Sequence, residues 1–364
     1  MILPRLNPFL EHLTAYRPSE GVHAAASPLP LSANESPHTP LPGIAAAVAE
    51  TGAAVNRYPD PECRALTRAL AGSLGVDADR IAVGAGSVAL LQTLFQAVAG
   101  PGAEAVHAWP SFELYPVLAG LAGVRSVGVP LTGEGHDLEA MADRITETTR
   151  LVIVCNPNNP TGTVTSREDL EKFLSRVPAR CLVALDEAYA EYVRDPASAC
   201  GLELADRYPN LVVLRTFSKA YGLAALRVGY LVGAPGLVAL LRRACLVYAV
   251  STAAQRAARA ALGLREELME RVAATTEERG RVRDALLALG ERVPVSQANF
   301  VWLRLDGDAS AFGDWCAGRG IAVRTFPGEG VRVSLGSPED NDAFLTAAAG
   351  WRASRADRGA VTGR

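Results

Sequence analysis

No two cysteines in the chain form a C-x-x-C pair; the six of them (Cys63, Cys155, Cys181, Cys200, Cys245, Cys316) are scattered through 364 residues. That spacing excludes a disulfide framework or a thiolate metal cage, and the cysteines read as reduced core residues. The five histidines lack the i,i+4 spacing of a helical metal site, so no metal centre is expected. His107, beside Trp109, reads as a packed histidine. Neither sign of charge is in excess: 36 Lys and Arg against 39 Asp and Glu leave a formal charge of −3, with a pI near 6.0. Without a basic block, nucleic-acid binding is not expected. No uninterrupted apolar run approaches the ~18 residues of a membrane helix. Met1-Ile2-Leu3-Pro4-Arg5 lacks the basic-then-apolar pattern of a secretory leader, so the expected location is the cytoplasm. Internal repeats and long low-complexity tracts are absent as well.

The chain has 49% hydrophobic residues and exceeds the size at which single cores stop growing, so two packed regions are expected. Between about residues 80 and 250, short apolar runs at 81–83, 105–107, 151–155, 181–185, 211–215 and 229–232 read as strands. Helical spacing at 88–98, 114–122, 167–176 and 236–244 alternates with them. This predicts an α/β layer with a mostly parallel sheet, whose ligands gather at the carboxyl ends of the strands. After about residue 252 a long Ala/Arg/Glu-rich stretch reaches 289. Strands at 300–305, 321–324 and 331–335 follow, with helices at 309–319 and 338–351, which predicts a small α+β unit. The resulting division is an N-terminal arm (1–40), a large domain (41–255), a small domain (256–352) and a frayed tail (353–364).

The most informative segment is Thr216-Phe217-Ser218-Lys219-Ala220-Tyr221-Gly222-Leu223, followed by Arg227. It gathers one amine, two hydroxyls and one guanidinium. An aldehyde-bearing, phosphorylated cofactor uses all of them: the amine for an imine, the hydroxyls and the bidentate cation for a phosphate. Pyridoxal 5'-phosphate (PLP) is that cofactor. The apolar run at 181–185 delivers Asp186 and Glu187 at a strand end, where a buried carboxylate is costly unless paired. A protonated pyridine nitrogen would pair with Asp186 and Tyr189 would face the ring oxygen; the plainer alternative is a satisfied helix cap. Asn156-Pro157-Asn158-Asn159-Pro160-Thr161-Gly162 is a turn by composition, which behind a strand of the same sheet can set Asn159 beside that oxygen.

Gly84-Ala85-Gly86-Ser87-Val88-Ala89 runs from strand into helix, so Gly86 and Ser87 can offer N–H groups to an anion. The same residues fit a loose G-x-G-x-x-A of dinucleotide binding. That alternative calls for an acid at the end of the next strand, where the chain has His107-Ala108-Trp109. Phe112 can stack on a pyridine ring or belong to the core. Arg332 and Arg324 can each capture a carboxylate bidentately or stand in solvent.

In ordered combination these segments resemble the fold-type I, class I/II PLP enzymes with an aspartate-aminotransferase-like fold. More closely they resemble the histidinol-phosphate aminotransferase family and, within it, the actinobacterial aromatic-amino-acid aminotransferase branch. The resemblance runs from Leu31-Ser32-Ala33-Asn34-Glu35-Ser36-Pro37 and Arg57-Tyr58-Pro59 to Arg332-Val333-Ser334. It implies a seven-stranded large-domain sheet, a small domain built from both chain ends, and a homodimer. Lys219 would bind PLP and move a proton between Cα and C4'. Asp186 would pair with the ring nitrogen, Asn159 and Tyr189 with the ring oxygen, and Phe112 would stack on the ring. Ser87, Thr216, Ser218 and Arg227 would hold the phosphate, with Tyr58 reaching it from the other subunit. Arg332 would bind the acidic group on the reacting carbon, and Tyr16 and Asn34 would line the substrate pocket. The implied reaction moves an amino group between an aromatic amino acid and a 2-oxo acid such as 2-oxoglutarate. Histidinol phosphate as donor, or a biosynthetic paralogue with a shifted donor, remains the alternative. The departures concern substrate: Gly86-Ser87 continues into Val88-Ala89 where many histidinol-phosphate enzymes carry Asp-Glu. Ser36 and Val247 stand where the aromatic branch usually has asparagine and proline.

Overall fold

A computed structural model describes residues 8–11, 13 and 29–362, with side chains as far as Arg355. Twelve strands follow in chain order: β1 (Leu29–Pro30), β2 (Ile81–Gly84), β3 (Glu104–Trp109), β4 (Arg125–Pro130), β5 (Thr149–Cys155), β6 (Leu182–Asp186), β7 (Leu211–Thr216), β8 (Gly229–Gly233), β9 (Phe300–Arg304), β10 (Ile321–Ala322), β11 (Arg324–Phe326) and β12 (Gly330–Ser334). Seven of them form one sheet in the order β2-β8-β7-β6-β5-β3-β4. Only β8 runs against its neighbours. The mostly parallel α/β sheet implied by the alternation of runs is therefore present.

The central strands are apolar on both faces, as a sheet covered by helices on both sides requires. Along β5, Leu151, Ile153 and Cys155 join one buried cluster while Val152 and Val154 join the other. β6 repeats this period of two, with Leu182 and Ala184 on the first face and Val183 and Leu185 on the second. Continuing that alternation puts Asp186 on the first face and Glu187 on the second. The first face is covered by the Ser87–Val98 and Leu114–Leu121 helices, through Leu90, Leu94, Tyr115 and Leu118. The Arg167–Arg176 helix covers the second through Leu170, Phe173 and Leu174. Its start is fixed by Ser166, whose side chain accepts from the Asp169 amide.

A third cluster gathers Leu31, Val301, Leu303, Phe312, Phe344 and Trp351 around the antiparallel sheet β11-β12-β9. There β1, from the beginning of the chain, pairs in parallel with β10 through Leu29↔Ile321 and Pro30↔Ala322.

Several details differ from the sequence reading. β4 was not anticipated: Arg125-Ser126-Val127-Gly128-Val129-Pro130 is an edge strand with only Val129 fully buried, so it lacks the apolar run that marks its neighbours. The run at 321–324 is interrupted at Val323 into β10, which pairs with β1, and β11, which pairs with β12. The long stretch after 252 is two helices, Thr252–Gly263 and Arg265–Ala288, separated at Leu264. The last helix, Pro338–Thr362, continues past Trp351 because Ala353-Ser354-Arg355-Ala356 offers nothing that breaks a helix. All six cysteines are unpaired by disulfides. His107 is buried, with its ring nitrogens bonded to the Ala108 carbonyl and the Ser126 hydroxyl.

Where β2 hands over to the Ser87–Val98 helix, the backbone of β8 passes so closely that only glycine fits. A Cβ on Gly229 would lie 2.7 Å from the Ser87 nitrogen and 2.9 Å from the Arg215 carbonyl oxygen. Since all these neighbours are backbone, Gly229→Ala is expected to cost about 1–3 kcal/mol. Urea or thermal unfolding checks it, and an unchanged midpoint would mean that the turn at Ser87 yields freely.

Candidate active site

The carboxyl ends of β5, β6 and β7, the turn after β2 and the segment after β1 converge on one cavity of about 380 Å³. Its wall includes Asn34, Ser87, Phe112, Asn159, Asp186, Tyr189, Thr216, Ser218, Lys219, Arg227, Arg324 and Arg332, so most residues singled out in the sequence meet in one place. Gly86, next to Ser87 in the chain, has φ of 83°, and a Cβ there would lie 2.6 Å from Arg227 Nη2. Tyr58 is elsewhere: it is 82% exposed and stacks on Tyr248 at 4.7 Å. Tyr16 lies outside the described residues.

At the end of β6 the two acids part, as the strand period dictates. Glu187 turns away to a buried ion pair, accepting from Arg215 Nε at 2.9 Å and Nη2 at 2.7 Å and from the Gly201 amide at 2.6 Å. Asp186 is 3% exposed. Its Oδ2 accepts from the Tyr115 hydroxyl at 2.8 Å, and its Oδ1 is buried without a hydrogen-bond partner. Burial raises its pKa to about 6, while the Tyr115 hydroxyl and the Ala188 amide pull the other way. A buried carboxylate oxygen without a partner costs on the order of 1–3 kcal/mol, and more for a charged group. A positively charged N–H at that wall would remove the cost.

Lys219, half-buried, donates from Nζ to the Ala33 carbonyl at 2.8 Å. Burial lowers its pKa to about 7, with the positive charges of Arg332 and Arg227 adding to the shift and Glu35 opposing it. At neutral pH a large share of the amine is therefore unprotonated and nucleophilic. Arg227, in the left-handed region at φ 52°, donates to the Ser218 hydroxyl at 3.3 Å and the Ala224 carbonyl at 2.7 Å. The Thr216 hydroxyl accepts from the Ser218 amide at 3.0 Å. Together with the helix N-terminus at Ser87, this is a set of hydroxyls and a guanidinium suited to a phosphate dianion.

Arg332 is buried and reaches Asn159 Oδ1 at 2.6 Å and the Ser32 carbonyl. Asn34 donates to the Tyr189 hydroxyl at 2.9 Å. Arg324 is held bidentately by Glu113, Nε to Oε2 at 2.9 Å and Nη2 to Oε1 at 2.6 Å. Sequence reasoning named neither Glu113 as that partner nor Tyr115 as the donor to Asp186. Both lie at the start of a helix that reads as ordinary core packing, and their partners are far away in sequence.

A protein-family model described as aminotransferase class I and II matches residues 26–347. The chain belongs to the class I and II aminotransferases. It is 54% identical over 346 residues to an aromatic amino acid aminotransferase of Thermobifida fusca, covering 95% of this chain and 96% of that one. A protein of the same name from Streptomyces coelicolor is 51% identical, covering 94% and 96%. Among solved structures, the histidinol-phosphate aminotransferase of Sinorhizobium meliloti, in complex with pyridoxal-5'-phosphate, superposes with a TM-score of 0.89 at 29% identity. That match covers 97% of this chain and 99% of that one. Aminotransferases of this class use PLP, and the donor set of the cavity fits it: an acid with an unpartnered oxygen, an amine of lowered pKa and an anion cradle. Among the described residues, no helix of this aminotransferase is long and apolar enough to cross a membrane.

Because the native pKa of Asp186 lies above the ordinary ~3.9 of an unfolded aspartate, the cofactor-free fold binds a proton that the unfolded chain releases. Stability contributed by Asp186 is thus full below about pH 4 and lost as pH rises through about 6. Asp186→Asn is expected to stabilise cofactor-free enzyme at pH 7.5 by on the order of 1–3 kcal/mol, with the gap closing near pH 4. Thermal melts at the two pH values check it; a gap of the same size at both would show that Asp186 is not the titrating group.

Proposed function

We propose that this aminotransferase moves an amino group between an aromatic amino acid and a 2-oxo acid such as 2-oxoglutarate. The observation that carries the PLP chemistry is the pairing, in one cavity, of a buried carboxylate oxygen lacking a partner with a lysine whose pKa is lowered to about 7. Bound there, PLP supplies the aldehyde that captures the amino group and a pyridine ring that withdraws electrons from the reacting carbon. The chain's own residues do the rest. Asp186 would pair with the ring nitrogen, Asn159 and Tyr189 with the ring oxygen, and Phe112 would stack on the ring. Ser87, Thr216, Ser218 and Arg227 would hold the phosphate. Lys219 Nζ, its pKa lowered to about 7, would be the base that takes the proton from the substrate's reacting carbon and later gives it back. Arg332 binds the α-carboxylate, with Asn34 supporting that side of the pocket.

Two observations support an aromatic donor. Relatives at 54% and 51% identity over nearly the full chain carry that name. In addition, the Arg324 guanidinium is already neutralised by Glu113, so this part of the wall presents a compensated pair to the substrate in place of an open cation for a phosphate ester. The working unit we infer is a homodimer. Tyr58, Val55, Leu246 and Val247 are exposed together with Tyr248, an apolar surface that a second copy would cover, carrying Tyr58 to the partner's phosphate site.

Single-turnover absorbance on PLP-loaded enzyme tests the donor, with phenylalanine, tyrosine, histidinol phosphate and glutamate offered separately. Bleaching of the yellow band by phenylalanine or tyrosine is the expected outcome, whereas bleaching by histidinol phosphate alone would transfer the assignment to that donor. Lys219→Ala is expected to stop turnover while cofactor stays bound noncovalently. Arg332→Ala should raise the donor KM roughly 10- to 100-fold, the loss of a charge-assisted bond worth about 1.5–3 kcal/mol. If that variant instead lost its cofactor, Arg332 would belong to the phosphate cradle.

A further inference from the structure

Among the described residues, the side chain that holds the Asp186 carboxylate is Tyr115. Tyr115 is completely buried and occupies the second position of the Leu114–Leu121 helix. Its ring is walled by Phe112, edge-on at 5.5 Å, and by His107 at 5.7 Å, so the hydroxyl has little freedom to swing elsewhere. The helix start is itself fixed: Glu113, two residues earlier, is clamped by Arg324 from β11. A phenol has one hydrogen to give, and here it goes to Oδ2, leaving Oδ1 as the oxygen without a partner. A carboxylate on a short side chain can rotate about its Cβ–Cγ bond, and one donor on one oxygen removes that freedom. A donor on a buried carboxylate also favours the ionised form against the cost of burial.

We propose that Tyr115 is a positioning residue of the transamination site: its hydroxyl fixes the Asp186 carboxylate so that Oδ1 meets the pyridine nitrogen, and keeps that carboxylate ionised at neutral pH. The inference rests on the PLP reading of the cavity. Tyr115 touches neither cofactor nor substrate in this role; it acts through Asp186. The buried aromatic thereby determines how firmly the ring is held and over what pH range the ring nitrogen stays protonated.

The test is titration of cofactor-free enzyme with PLP from pH 5.5 to 8.5, followed by the quenching of tryptophan fluorescence, for wild type, Tyr115→Phe and Asp186→Asn. Wild type is expected to lose affinity as acid protonates Asp186. Tyr115→Phe should bind PLP roughly tenfold more weakly at pH 7, the loss of one hydrogen bond to a charged group. Its acid limb should move to higher pH, while Asp186→Asn binds weakly and shows no such limb. Tyr115→Phe keeps the buried ring and removes only the hydroxyl, and far-UV circular dichroism checks that the variant is folded before titration. Equal weakening at every pH with an unmoved limb would mean that Tyr115 merely fills space, and unchanged affinity would equally overturn the proposal. Failure of wild type to bind PLP at all would instead overturn the cofactor reading beneath it.

Discussion

Keeping a carboxylate charged where water cannot reach it is the constraint on which the site depends. Asp186 sits at the end of a strand whose other residues are apolar on both faces, and the fold satisfies only one of its oxygens. Everything nearby is consistent with leaving the second oxygen for a cationic guest. Glu187, its neighbour in sequence, is turned to the opposite face and neutralised by Arg215. The sheet thus carries a local penalty, tolerated because a ligand relieves it, which is common where function overrides stability.

The same low-dielectric cavity acts in opposite directions on its acid and its base. Burial moves Asp186 up and Lys219 down, to about 6 and about 7, which brings two groups normally separated by more than six units close to one another and to neutral pH. Two arginines near the amine add repulsion to desolvation. A site meant to exchange protons with a reacting carbon needs groups of this kind, poised near the working pH.

Much of this was legible in the sequence because it is local. Asn159 follows β5, Asp186 ends β6 and Lys219 follows β7 within three residues, so strand periodicity and chain order bring them to one edge of a parallel sheet. Arg332 was legible as a candidate for carboxylate capture on a short strand, but nothing beside it in sequence separated that role from a solvated arginine; its burial appears only in the fold. The contacts that complete the site were not legible: Tyr115 with Asp186, Glu113 with Arg324, and Ala33 with Lys219 are separated by 71, 211 and 186 residues. β4 escaped because edge strands need not be apolar, and the end of the last helix because the residues after Trp351 are neutral toward helix formation.

The pairing of β1 with β10 has a temporal meaning. Residues 32–35 form part of the cavity wall and are held there by late partners: Asn34 is bonded to Ser334 and Asn299, and the Ser32 carbonyl to Arg332. On the ribosome, the first of these segments to emerge must wait for nearly the whole chain before it finds its place. The central sheet can form while synthesis continues, but the catalytic chamber closes only after its last strands have left the exit tunnel, so an incomplete chain carries no assembled site.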